Sequence, residues 1–206
     1  MIDFYTWSTP NGRKVSIMLE ECGLAYDARP VDIGSGEQSA PEFVALNPNR
    51  KIPVIVDHEG PDGRPIVVIE SGAILLYLAE KSGRFMPRDA RSKSEVLQWL
   101  MFQMASVGPM LGQAHHFLRF APERVRYAVD RYSAEARRIY GVLESRLDGR
   151  NWLAGDDYSV ADIATFPWIA RHEWQEIDLA DFPQVKRWFD TLSARPAVQK
   201  GMEVPA

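Results

Sequence analysis

The chain has 206 residues, 46% of them hydrophobic and 25% charged, which excludes a collagen-like or disordered protein. Its formal net charge of −4 offers no basic footprint for nucleic acid. A single cysteine, Cys22, excludes an internal disulfide and a cysteine-cluster metal site. The opening residues carry Asp3 and no long apolar run, so they read as neither a signal peptide nor a membrane anchor, and a cytoplasmic protein is expected.

In chain order, Ile2–Thr6 is a predicted strand and Arg13–Cys22 a predicted helix, with Val15, Met18, Leu19 and Cys22 at i, i+3, i+4, i+7 spacing. Tyr26–Ile33 reads as a second strand, and Pro30 within it argues for a sheet edge. Pro41–Leu46 is a short helix stopped by Asn47-Pro48. Pro53–Asp57 and Ile66–Ile69 are apolar runs joined by a turn rich in Gly, Pro and Asp. Ser71–Lys81 is a helix for which Ser71 is the expected cap. The order βαβ, α, ββα describes an α/β layer domain over residues 1–81.

Residues 1–81 hold seven Lys and Arg against twelve Asp and Glu, whereas residues 82–206 hold seventeen against sixteen. The texture changes at the same point. Residues 82–92, with Gly83 and Pro87, read as a linker, and residues 93–206 as an all-helical domain. Its helical patterns run over about 92–120, 123–147, 160–172 and 182–194. Gly108-Pro109 is expected to kink the first of these, because proline removes a backbone donor.

Three short segments of the first domain carry chemistry. Trp7-Ser8-Thr9-Pro10-Asn11-Gly12 joins the first strand to the first helix, where a thioredoxin-like fold would place Cys-x-x-Cys at a helix N-terminus. Here Thr9, Pro10 and Asn11 stand instead, and Cys22 lies about three turns away on an apolar stripe, as a packing residue. Sulfur chemistry at this site therefore needs a thiol carried by a small molecule. At Lys51-Ile52-Pro53 a cis proline would turn the Ile52 backbone outward to pair with an extended peptide, whereas a trans proline would merely open an edge strand. At Glu70-Ser71 the helix N-terminus offers an anion site, and Glu70 a partner for an ammonium; an ordinary capped helix is the alternative.

Together these motifs resemble the glutathione transferase family, with Glu70–Ala79 and Tyr158–Ala164 as further marks; the likeness covers essentially the whole chain. More narrowly, Thr9–Gly12, Asn49–His58 and Pro109–Phe117 are similar to the bacterial nu-class members, described as disulfide-bond oxidoreductases. Ala114 departs from that pattern, where Asn is expected, and bears on second-substrate preference. The resemblance implies a thioredoxin-like domain followed by an all-α domain. It implies Thr9 and Asn11 beside the glutathione sulfur, rather than Tyr5 or Ser8. Gln38, Lys51, Ile52, Pro53, Glu70 and Ser71 would hold the tripeptide, and Arg131 would reach ligand across a homodimer interface. Ser159 and Asp162 look like the family's helix capping box, with Asp in place of the usual Glu or Gln.

The implied function is glutathione-dependent disulfide reduction, with some transferase or peroxidase activity and glutathione as co-substrate. A non-catalytic glutathione-binding or regulatory protein is the alternative. Two neutral donors and a helix end could lower a thiol pKa by roughly one to two units, at ~1.4 kcal/mol per unit. No metal is expected: His115 and His116 are adjacent on a helix, so they point about 100° apart, and no third ligand is evident. One is expected to pack and the other to line the second-substrate pocket. Trp99, Phe102 and Met110 are expected in the core. No nucleic acid or membrane partner is implied.

Overall fold

The computed structural model of the chain describes residues 1–205. The chain forms two compact units, one from Met1–Arg84 together with the segment from Arg195 onward, the other from Phe85–Ala194.

The first unit is built on a four-stranded sheet of order β2-β1-β3-β4. Its strands are β1 (Ile2–Thr6), β2 (Tyr26–Pro30), β3 (Val54–Asp57) and β4 (Ile66–Ile69). β1 and β2 are parallel, joined by helix α1 (Pro10–Cys22) as a βαβ crossover; β3 and β4 form a hairpin antiparallel to β1. The Pro30 edge strand is confirmed. The sheet alternates as a half-buried strand must: Phe4 is sealed, while the ring of Tyr5 on the other face meets Phe43 of α2 (Pro41–Leu46) edge-on at 6.2 Å. Val31, Phe43 and Val54 centre that side, with Tyr5, Leu46, Ile52 and Ile69 packed on them.

α1 starts three residues earlier than its periodicity suggests, because Thr9 caps it and Pro10 fits the first turn. It ends at Gly23, in the left-handed region at φ 66°. α3 (Ser71–Ser82) packs on α1. Ser71 is not its cap: Glu70 takes that position at φ 66°, ψ 116°, and Ser71 is the first helical residue.

The domain boundary also differs from the sequence reading. α9 (Pro196–Met202), which the sequence reading did not separate, packs on α1 in the first unit. Ser16 Oγ donates to the Gly201 carbonyl at 2.6 Å, and Arg195 makes a two-pronged bond to Glu21 at 2.6 and 2.9 Å. Gly201 permits this approach, since a Cβ there would stand 2.6 Å from the backbone of Ile17.

The second unit is all helical. α4 (Ala90–Phe102), a wide π turn (Gln103–Val107), α5 (Gly108–His115) and a second π turn (His116–Phe120) follow one another as a continuous helical run, matching the helical pattern expected over 92–120 but interrupted by two π turns that the sequence reading did not include. Pro109 follows the first wide turn, which accommodates its missing donor. α6 (Arg126–Leu147), α7 (Val160–Ile169) and α8 (Pro183–Ser193) complete the unit. Glu144 of α6 caps α8, accepting from the amides of Gln184 and Val185 at 2.9–3.0 Å. The capping box at α7 is present as read from the sequence: Ser159 Oγ accepts from Ala161 N, and Asp162 accepts from Ser159 N at 3.1 Å. Asp162 also accepts from Leu153 N and Trp188 Nε1, each at 2.9 Å, so one buried carboxylate ties α7 to α8.

Trp99, Phe102 and Met110 are only half-buried; the core of this part is Val96, Leu100, Val107 and Leu111. The α4 aromatics lie beside the stripe that packs inward. Among the described residues no helix is long and apolar enough to cross a membrane, and no group of His, Cys, Asp and Glu is arranged to hold a metal.

Candidate functional site

Sheet register gathers the candidate residues of the first unit at one end of the sheet. β1 ends at Thr6, opposite Pro30 at the end of parallel β2. β3 begins at Val54, paired with Tyr5 on one side and with Ile69, the end of β4, on the other. The Thr9–Asn11 turn, the 31–53 connection with Gln38, Lys51, Ile52 and Pro53, and the Glu70–Ser71 helix start therefore all emerge from this one edge. Ligand sites commonly form at such loop clusters on a rigid scaffold.

At the first turn of α1, Thr9 Oγ1 accepts from Gly12 N at 3.2 Å. The hydroxyl is thus held as an acceptor within the cap, and its own proton is what it offers outward. Gly12 is required by close approach: a Cβ would lie 2.5 Å from both Thr6 Oγ1 and the Trp7 carbonyl oxygen. Asn11 stands in the same first turn, half-buried. Ser8 is exposed, and Tyr5 lies within β1 against Phe43.

Cys22 lies at the far end of the helix. A rise of ~1.5 Å per residue separates it from Pro10 by about 18 Å. Its Sγ lies 3.2 Å from Ser82 Oγ, and burial pushes its thiol above the ordinary range. It has the environment of a packing residue and not of a reactive thiol.

The Ile52–Pro53 bond is cis. Pro53 is buried and Ile52 half-buried, just ahead of the β3 ladder. The turn before them is organised by Asn47, a buried side chain that accepts from Asn49 N at 2.9 Å and donates to the Lys51 carbonyl at 2.7 Å. Asn47 had registered in the sequence only as a helix stop. The Lys51 side chain itself is exposed. Gln38 sits in a short helical turn (Glu37–Ser39), and its buried Oε1 has no partner, an acceptor in want of a donor.

Glu70 is exposed and holds a positive φ that costs a non-glycine residue on the order of 1–3 kcal/mol, a strain that clusters at ligand sites. Its side chain makes no capping bond, so it does not serve the first-turn amides of α3. Ser71 is 4% exposed, and its Oγ accepts from Lys14 Nζ at 3.2 Å. Lys14 was missed by the sequence reading. The signal lay in helical spacing, since residues 14, 18 and 22 follow one another at i, i+4 along one face of α1.

Arg131 belongs to the second unit. It lines a groove of about 600 Å³ on α5 and α6 with Met110, Tyr127, Tyr132 and Glu135. His115 is buried, its Nε2 2.9 Å from Gln175 Nε2 and its ring stacked at 5.7 Å on Trp168. Burial, with Arg171 and Arg119 near, lowers its pKa to about 4, so it is neutral and accepts from Gln175. His116 is exposed. Of the pair, one packs, as expected. Ala114 is fully buried.

Comparison with known proteins gives this arrangement a relationship. The Glutathione S-transferase N-terminal domain matches residues 9–81, and the Glutathione S-transferase C-terminal domain matches residues 85–196. The disulfide-bond oxidoreductase YfcG of Escherichia coli is 49% identical over 203 residues, 98% of this chain and 94% of the relative. A glutathione transferase from Burkholderia graminis, solved with two glutathione molecules per subunit, is 49% identical with TM-score 0.94, covering 99% of this chain and 88% of that one. Another from Pseudomonas putida, with one glutathione disulfide per subunit, is 46% identical with TM-score 0.95, covering 100% and 92%. With both domains matched in tandem and near full-length relatives at this identity, the chain belongs to the glutathione S-transferase family.

Proposed function

We propose that this protein is a glutathione-dependent disulfide-bond reductase of the nu class, with glutathione as co-substrate. The observation that carries this reading is the first turn of α1. A polar cap, Thr9, with Asn11 beside it, stands where a dithiol reductase would keep its cysteines, and the chain's one thiol is a helix length away. The reacting sulfur is then that of glutathione. The names of YfcG and of the glutathione-bound relatives support the assignment.

In this reading Thr9 and Asn11 donate hydrogen bonds to the sulfur and favour thiolate over thiol, aided by the positive end of α1. Neither ionises near neutral pH, so neither is a nucleophile or base. Gln38, Lys51, the Ile52 backbone beside Pro53, Glu70 and Ser71 hold the tripeptide. Its γ-glutamyl carboxylate lies at the N-terminus of α3 and its ammonium against Glu70. The thiolate attacks one sulfur of a disulfide, forming a mixed disulfide and expelling the other sulfur as thiolate. A second glutathione thiolate then attacks the glutathione sulfur of the mixed disulfide, releasing the remaining thiol and glutathione disulfide. Two glutathiones are oxidised and one disulfide reduced. Arg131 reaches ligand from a partner subunit.

The test follows glutathione disulfide formation from a dialkyl disulfide and glutathione. The parent turns over; Thr9→Val with Asn11→Ala together lowers kcat and raises the pKa of bound glutathione, read from thiolate ultraviolet absorbance, with a smaller change in binding. A parent no faster than the uncatalysed exchange makes the protein a glutathione-binding module. A double variant whose pH profile overlays the parent's removes Thr9 and Asn11 from the mechanism.

A further inference from the structure

The helical run over 90–120 ends by bringing a cation onto an aromatic ring. Arg119, in the second π turn, has its guanidinium 4.8 Å from the ring centre of Trp174. Arg171, just ahead of the short turn that carries Trp174, lies 3.9 Å from the same ring. An indole attracts each guanidinium through its negative face but is itself neutral, so it does not balance the two charges it gathers. The buried ring of His115, 5.5 Å from Trp174, is kept neutral by burial and, after it, by the joint field of these two cations. Arg119 is exposed and enters no ion pair among the described residues. A guanidinium over a ring keeps its N–H fork at the periphery, where it can take both oxygens of a carboxylate. Beside it Phe120, 59% exposed, meets Trp174 edge-on at 5.7 Å and offers apolar surface at the same place. A cationic fork next to an exposed aromatic fits a carboxylate on a short apolar arm. Glu123 and Glu176 border, with Arg119 and Arg124, a cleft of about 180 Å³, and their charge disfavours a polyanion.

We propose that Arg119, on the platform formed with Trp174, Arg171 and Phe120, selects the second substrate: it takes a carboxylate of the disulfide, so that disulfides of carboxylate-bearing thiols are reduced in preference to neutral or cationic ones, an assignment that rests on the disulfide-reductase reading. Arg119 moves no proton or electron, and the exchange steps stay as written above. It holds the non-reacting end of the substrate, and that binding is what separates one disulfide from another.

Three symmetrical disulfides of matched length test this: anionic dithiodipropionate, neutral hydroxyethyl disulfide and cationic cystamine. Each kcat/KM is taken at saturating glutathione and divided by the rate of the uncatalysed exchange. The parent ranks them anionic, neutral, cationic, and added salt narrows the spread, because the arginine is exposed. Arg119→Gln lowers the anionic-to-neutral ratio about tenfold, and Arg119→Lys, which keeps the charge without the fork, lowers it less. A parent without preference for the dianion overturns the proposal, a result that needs no variant to fold. So does a folded Arg119→Gln that keeps the parent's ratio. A loss shared equally by all three disulfides assigns Arg119 to packing or to glutathione itself, and overturns the proposal as well. Without glutathione no exchange proceeds, so calorimetry with dithiodipropionate alone reads the anion site apart from turnover. The parent binds it and Arg119→Gln binds it about tenfold more weakly; equal affinity overturns the proposal. A parent that binds the dianion through Arg119 but turns over none of the three disulfides faster than the uncatalysed exchange overturns instead the disulfide-reductase reading.

Discussion

At the scale of single residues the structure puts Cys22 and the Thr9–Asn11 turn, the proposed sulfur-binding position, at opposite ends of one helix. Cys22 fills space against Ser82 near the C-terminal end of α1, and its raised pKa keeps it a thiol. Cys22→Ala is therefore expected to retain disulfide-reductase turnover and to lose about 1 kcal/mol in urea unfolding. Loss of turnover in the folded variant would return a protein thiol to the mechanism. The helix start at Thr9 was legible only in part: proline at the first turn and a hydroxyl before it are local signals, but the helix read from apolar periodicity begins only at Arg13. The role of Ser71 was only half legible. Serine before an apolar run reads as a cap, but Glu70 takes the cap position with a backbone angle that sequence preferences disfavour, and Ser71 turns inward to Lys14. Lys14 escaped notice for a related reason: following Arg13 in the first turns of a helix, it reads as a second solvated charge until its distant partner, 57 residues on, is known.

At the scale of elements the strands and α1 followed from periodicity and turn residues, and the capping box from spacing alone. That box has a consequence for stability. Asp162 Oδ1 accepts from Leu153 N and Trp188 Nε1, both buried, so Asp162→Ala orphans two donors and should cost on the order of 3 kcal/mol by thermal or urea unfolding. Burial, opposed by these donors and by Ser159, raises its carboxyl pKa to about 6. The folded state therefore holds this proton more tightly than the unfolded chain does. Its stabilising contribution is full below about pH 4 and declines as pH rises through about 6. The stability gap between the parent and Asp162→Asn, which cannot titrate, should accordingly be wider at pH 4 than at pH 7; a gap that widens with pH would contradict the raised pKa. The π turns flanking α5 were not legible, because the apolar pattern runs through them and one extra residue per turn leaves no mark in composition. α9 was missed for a different reason. Seven residues with two polar side chains and a glycine carry no stripe of their own, and what fixes them is Gly201 meeting the backbone of Ile17.

At the scale of the whole molecule, the proposed reach of Arg131 into a neighbouring ligand requires a second copy of the chain. The groove it lines on α5 and α6 presents Tyr127 at 75% exposure. Light scattering at micromolar concentration should return twice the 23.4 kDa chain mass, and Arg131→Ala should weaken glutathione binding while leaving that mass unchanged. A 23.4 kDa particle that retains full affinity would remove Arg131 from the site. The sequence divided the chain cleanly in two, but the structure makes its first unit discontinuous, closed by a helix that follows the whole of the second. During synthesis the ribosome delivers residues 85–194 before that closing helix, so the helical unit can complete its contacts while the nascent sheet unit still lacks one wall. The sheet unit is begun first and finished last, and a nascent chain stalled before residue 195 would leave the face of α1 around Ser16 and Ile17 uncovered.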